Sequence, residues 1–319
     1  MKHLQRAFDN QNQIGKYVFV FIIAFFVGQV VGSIPLIIAM FSARDRGGSD
    51  FVIPENAMDF SAYGIDPNFG LVLMLIPFLV TLVLGIWLIQ SLHKRSFMEV
   101  VNGGGRFRWR NFFIGASIWG ALMIASVVVS LITDPGNLEL QFNPKAFIPL
   151  VVISVLLLPI QSGTEEFLMR GYLAQGVAAR TRSRIWVIII PSIVFALLHS
   201  ANPEIKEFGF WQLIPQYVLF GTFLGAIAVL DDGIEVAIGL HSANNVLSAI
   251  LVTSKSSVLQ TPALFFEKET DLSGQYIGFV ISAILALWLM NRFLKWDFKS
   301  LFKRIEKPEE ETAGPVSAT

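Results

Sequence analysis

Eight apolar runs constrain this chain more than any other feature: they fall near 17–41, 69–92, 112–133, 146–162 continuing to 179, 185–200, 211–230, 234–252 and 275–294. About 20 apolar residues in a helix are what the hydrocarbon core of a bilayer requires. The rest of the composition agrees, since 54% of the 319 residues are hydrophobic and only 15% charged, with a mean hydropathy of +0.60, far outside a soluble domain. The expected fold is all-α, a polytopic membrane helix bundle of about eight transmembrane helices enclosing a polar intramembrane cavity, with residues 1–319 forming one integral membrane domain. The first run is too long for a signal-peptide core and lacks a small-residue cleavage site after it, so it reads as a retained anchor. The fourth is too long for one straight span. A break or kink is expected between Pro159 and Gly163, where the chain would face a cavity.

Charge placement supplies the orientation. Lys and Arg number 17 in the N-terminal tail and every second loop after it, against 6 in the alternate set. By the positive-inside rule both termini are expected in the cytoplasm, with the plasma (inner) membrane as host. Basic and acidic residues balance at 24 each, so net charge points to no nucleic-acid partner. The alternating Arg106, Phe107, Arg108, Trp109 and Arg110 read as anchors at the bilayer interface. The polar, acidic stretch 42–68 reads as an external loop. Leu294, Phe298, Leu301, Phe302 and Ile305 recur at helical spacing, which predicts an interfacial amphipathic helix over 294–307, and 308–319 reads as a disordered tail. Cysteine is absent, excluding disulfides, thiol nucleophiles and Cys-based zinc sites.

Against this background a few polar residues sit too deep. Gly163–Gln175, GTEEFLMRGYLAQ, carries two adjacent carboxylates and an arginine in an apolar run, and ionisable residues at such depth are costly and usually functional. Glu166 and Arg170 are four apart with the acid first, the favourable order for a helical ion pair. Glu165 points about 100° away and lacks that partner. A structural alternative is a capping box made by Ser162 and Glu165. His199 closes the fifth run one turn after Phe195, where it could simply cap a helix. His241 and Asn245 share a face at i, i+4, where they could tie two helices together. A geometric test favours grouping: Glu165 lies 15 residues before Arg180 and His199 lies 15 after Arg184. In an antiparallel hairpin both then sit about 22 Å from the turn.

Glu165-Glu166-x-x-x-Arg170, Phe195-x-x-x-His199 and His241-x-x-x-Asn245 resemble, in order, the three motif boxes of the CAAX protease and bacteriocin-processing (Abi) family of intramembrane endopeptidases, to which the type II CAAX prenyl endopeptidase is related. The resemblance covers roughly 145–250, which it marks as the catalytic core. It implies that Glu165 and His199 activate a water that attacks a peptide carbonyl, and that His241 and Asn245 stabilise the oxyanion. Glu166 and Arg170 then hold the site together. A carboxylate in an apolar setting can serve as a base near neutrality, and paired donors offset developing negative charge. The implied partner is a membrane-associated peptide or protein in the bilayer, and no cofactor is implied.

Two other classes compete. A zinc protease would take Glu165, His199 and His241 as ligands with Glu166 as base, a known ligand set, although H-E-x-x-H spacing is absent. A non-enzymatic immunity, scaffold or transport protein would use the same cluster for binding or helix association, although repeated halves are not evident.

Overall fold

The computed structural model describes residues 2–9, 12–47, 56 and 58–307. The expected tail 308–319 and part of the 42–68 loop lie outside the described residues. Among these, after one short helical turn at Lys2–Gln5, the helices are α1 (Ile14–Arg46), α2 (Pro67–His93), α3 (Phe97–Asn102), α4 (Trp109–Thr133), α5 (Pro144–Thr181), α6 (Arg184–Leu198), α7 (Pro203–Phe208), α8 (Phe210–Asp231), α9 (Glu235–Leu251) and α10 (Leu272–Leu294). The all-α membrane bundle holds, and the chain is an integral membrane protein.

Every apolar run falls on a helix, but the lengths differ from the expected eight spans. Six helices, α1, α2, α4, α5, α8 and α10, are long and apolar enough to cross a membrane. The other two, α6 with 15 residues and α9 with 17, fall short of the usual 20 or so. Both are packed by neighbours: α9 lies against α4 and α5, and α6 against α8. From Gly233 to Ser242 every residue is buried.

Helix ends are set by local chemistry. Asp66 caps α2 by accepting from the Phe69 amide at 3.0 Å, ahead of Pro67 at the first position. The capping box is Ser96 with Glu99 at the start of α3, and Gly103 ends that helix at φ 85°. Ser162, by contrast, lies inside α5, so the capping-box alternative for Ser162 and Glu165 fails.

No break falls between Pro159 and Gly163; α-helix continues through both to Glu166. The irregularity comes immediately afterwards, as a π-helical stretch over Phe167–Leu173. Such widened turns re-aim side chains and are frequent at functional sites.

The segments richest in Lys and Arg gather at one end of the bundle. Lys2 and His3 amides bind Asp232 at 2.7 and 3.0 Å, Gln175 donates to the carbonyls of His3 and Glu99, and Arg182 and Arg184 donate to Ile305 and Ser300. Residues 294–307 do not form the amphipathic helix read from spacing. α10 stops at Leu294, Lys295 turns at φ 53°, and only Phe298–Phe302 is helical, as a 3-10 turn begun by the Asp297 cap. Ile305 is buried with Leu4, Ala7 and Val187, so tertiary packing overrides the helical spacing. Another feature absent from the sequence reading is a small sheet, order β1-β3-β2, of β1 (Leu138–Leu140), β2 (Val252–Thr253) and β3 (Phe265–Glu267), antiparallel on one side of β3 and parallel on the other.

Candidate active site

The site forms where α5, α6, α8 and α9 meet. Close approach of α4 fixes α9: a Cβ on Gly239 would lie 2.0 Å from the Phe112 carbonyl oxygen, and one on Gly115 2.3 Å from that of Val236. Only glycine permits that contact, and it sets the register of His241 two residues on.

Glu166 and Arg170 form the buried anchor expected from their spacing. Arg170 Nη1 donates to Glu166 Oε1 at 2.8 Å, Nη2 donates to the Gly221 carbonyl at 2.9 Å, and the guanidinium lies 4.7 Å over the Phe195 ring. Glu166 is 0% and Arg170 2% exposed. A charge buried so deeply is tolerable only with its partner and its hydrogen bonds in place.

His241 takes up the same carboxylate. Its Nδ1 is 2.8 Å from Glu166 Oε1, and because a carboxylate held by arginine only accepts, Nδ1 carries the hydrogen. Its Nε2 faces Glu165 Oε2 at 3.5 Å. The imidazole therefore stands between two carboxylates, one committed to structure and one not. Phe220 and Phe195 close the other sides, with ring centroids 5.3 and 6.1 Å away.

Glu165 is 14% exposed at its side chain. Its Oε1 accepts from Gln161 Nε2 at 2.7 Å, while its buried Oε2 has no hydrogen-bond partner among the described residues. Asn245 reaches the same glutamine from α9, donating Nδ2–H to Gln161 Oε1 at 2.7 Å and to Ser162 Oγ at 3.3 Å. Gln161 thus links the first and third motif boxes.

His199 sits just past α6. Its Nδ1–H donates to the Phe195 carbonyl at 2.7 Å, which leaves Nε2 as the ring's acceptor. The ring packs on Phe195 and Tyr217, centroids 4.3 and 4.5 Å away. Tyr217 donates to Glu204 Oε1 and accepts from Asn202 Nδ2 at 2.9 Å. The direct neighbour of Glu165 is His241, not His199; among the described residues Glu165 and His199 form no ion pair. They are joined through the intervening aromatics, with Phe195 packed on both histidines.

The structure therefore brings together Glu165, Glu166, Arg170 and His241 by direct contact, joins Asn245 to Glu165 through Gln161, and sets His199 one ring away. Sequence reading missed Gln161, Tyr217 and Glu204, and gave Ser162 only a capping role. Of these only Gln161 carried a signal, lying one helical turn before Glu165.

Among the described residues no group of three His, Asp or Glu side chains is arranged to hold a metal ion. In each histidine Nδ1 is engaged, with Glu166 in His241 and with the Phe195 carbonyl in His199, so a zinc reading would have to use Nε2 of both.

Carboxylates, imidazoles and amides buried in a membrane helix bundle define a class, a polytopic membrane protein with the parts of a hydrolytic site. Comparison with known proteins finds a likeness in the same segment. Residues 143–247 match the family described as Rce1-like, type II CAAX prenyl endopeptidase Rce1-like, and all three motif boxes lie inside that segment. The core is similar to that family, and the match supports a peptidase, a hydrolase acting on a peptide or protein. The chain is also 29% identical over 270 residues to the uncharacterized protein YyaK of Bacillus subtilis (strain 168), covering 83% of this chain and 87% of that protein. No solved structure matches it.

Proposed function

We propose that this chain is an intramembrane endopeptidase of the glutamate type, hydrolysing a peptide bond in a membrane-associated substrate. The observation that carries the reading is the division of labour between adjacent carboxylates: Glu166 is committed to Arg170 and His241, whereas among the described residues Glu165 Oε2 has no hydrogen-bond partner. In the mechanism, Glu165 with His199 Nε2 positions and deprotonates a water. The water oxygen adds to the scissile carbonyl carbon, and its proton passes to Glu165. The resulting oxyanion accepts from Asn245 Nδ2 and from His241 Nε2. With Nδ1–H given to Glu166, His241 donates from Nε2 only when doubly protonated, and Glu165, 3.5 Å away, can supply that proton. Collapse breaks the C–N bond, and the proton leaves on the amine. The excess of Lys and Arg in the N-terminal tail and alternate loops supports a reading with both termini in the cytoplasm.

The test is a comparison of membrane-protein termini between wild-type cells and cells carrying Glu165→Gln. The reading expects a set of termini present only in the wild type; identical sets overturn it. Strong chelation of the purified wild type should leave turnover unchanged.

A further inference from the structure

Gln161 belongs to none of the three boxes, yet it makes the two contacts that a substrate would need. Its amide NH2 donates to Glu165 Oε1 at 2.7 Å, and its carbonyl accepts from Asn245 Nδ2 at 2.7 Å. The orientation of the amide is settled by chemistry, because a carboxylate can only accept and so must face the nitrogen. A peptide bond lying across the site would use the same pair: its C=O toward Asn245, its N–H toward Glu165.

Both hydrogens of the Asn245 amide are also spent, one on Gln161 and the second on Ser162 Oγ at 3.3 Å. Ser162 itself donates to Gln161 Oε1 at 3.2 Å, so that oxygen takes two hydrogen bonds. No donor of Asn245 is then open to an incoming carbonyl until Gln161 leaves. The residue is half-buried, and its flexible side chain can turn away without disturbing the fully buried Glu166–Arg170 anchor.

We infer that Gln161 is an internal stand-in for the substrate peptide, a residue that occupies the amide subsite at rest and must be displaced for a peptide carbonyl to reach Asn245. This rests on the protease reading for its chemistry. When the competent state is only a fraction of the population, apparent affinity falls by that fraction. Removing the competitor therefore tightens binding, the opposite of removing a residue that helps to hold substrate.

The experiment uses the full chain in nanodiscs and an internally quenched peptide ending in a prenylated Cys-a-a-X sequence, chosen because of the matched family. Binding is read by anisotropy and cleavage by fluorescence. Gln161→Met, which keeps bulk but loses both hydrogen bonds, and Gln161→Ala should each lower the Kd and KM about tenfold, the scale of two modest hydrogen bonds. In an Asn245→Ala background the gain should vanish, since the contested donor is gone. Unchanged or weaker binding in both variants, or a gain that persists without Asn245, overturns the inference. Tighter binding with no cleavage by any variant keeps the gate and removes the protease.

Discussion

Glu166 Oε1 lies 2.8 Å from Arg170 Nη1 and 2.8 Å from His241 Nδ1, so one oxygen of a fully buried carboxylate neutralises the arginine and fixes the tautomer of the histidine. Removing its charge should therefore be a structural injury as well as a functional one. Glu166→Gln leaves Arg170 charged and unpaired at 2% exposure, which costs about 3–5 kcal/mol. A fall in melting temperature together with loss of turnover is expected. Retained stability with lost activity would move Glu166 from anchor to reacting group.

The contact of α4 with α9 offers a sharper structural test. Gly239→Ala places a methyl 2.0 Å from the Phe112 carbonyl oxygen, forcing the helices apart and moving His241 with them. Overpacking of this kind costs about 1–3 kcal/mol. Gly278→Ala, with nothing within 4 Å of its new Cβ, should instead be neutral or stabilising by up to about 1 kcal/mol. Thermal unfolding of the pair in nanodiscs decides between the two outcomes.

Acid sensitivity should arise at the gathered loop end. His3 is buried, and burial lowers its pKa from 6.5 to about 4. The unfolded chain then binds a proton that the folded chain refuses, so the contribution of this residue is complete above about pH 6.5 and lost as pH falls toward 4. The full loss is about 3 kcal/mol. His3→Gln should flatten stability between pH 6.5 and 4; an unchanged slope would show that another group titrates there.

Much of this arrangement was readable from side-chain spacing. The apolar runs located the helices because lipid demands length, and the Glu166–Arg170 and His241–Asn245 pairs followed from helical geometry at i, i+4. What spacing could not show was set by contacts between distant segments. The π-helical stretch after Glu166 has no signature in the apolar pattern. In the small sheet β1 pairs with β3 across more than 120 residues of chain, as in Leu138 with Glu267. Residues 294–307 carry helical spacing, yet Ile305 is claimed by the core around Leu4 and Val187. Tyr217 reads as one more aromatic in an apolar helix until its ring is seen against His199.

The most direct test of the central claim is turnover of a membrane-anchored peptide by purified wild-type chain and by Glu165→Gln, with folding followed in the same samples. Glutamine keeps the size of the side chain but cannot take a proton from water. The account predicts that cleavage falls at least about 1,000-fold while the melting temperature stays close to wild type, because Glu165 is not part of the buried ion pair. Cleavage by Glu165→Gln at the wild-type rate would contradict it.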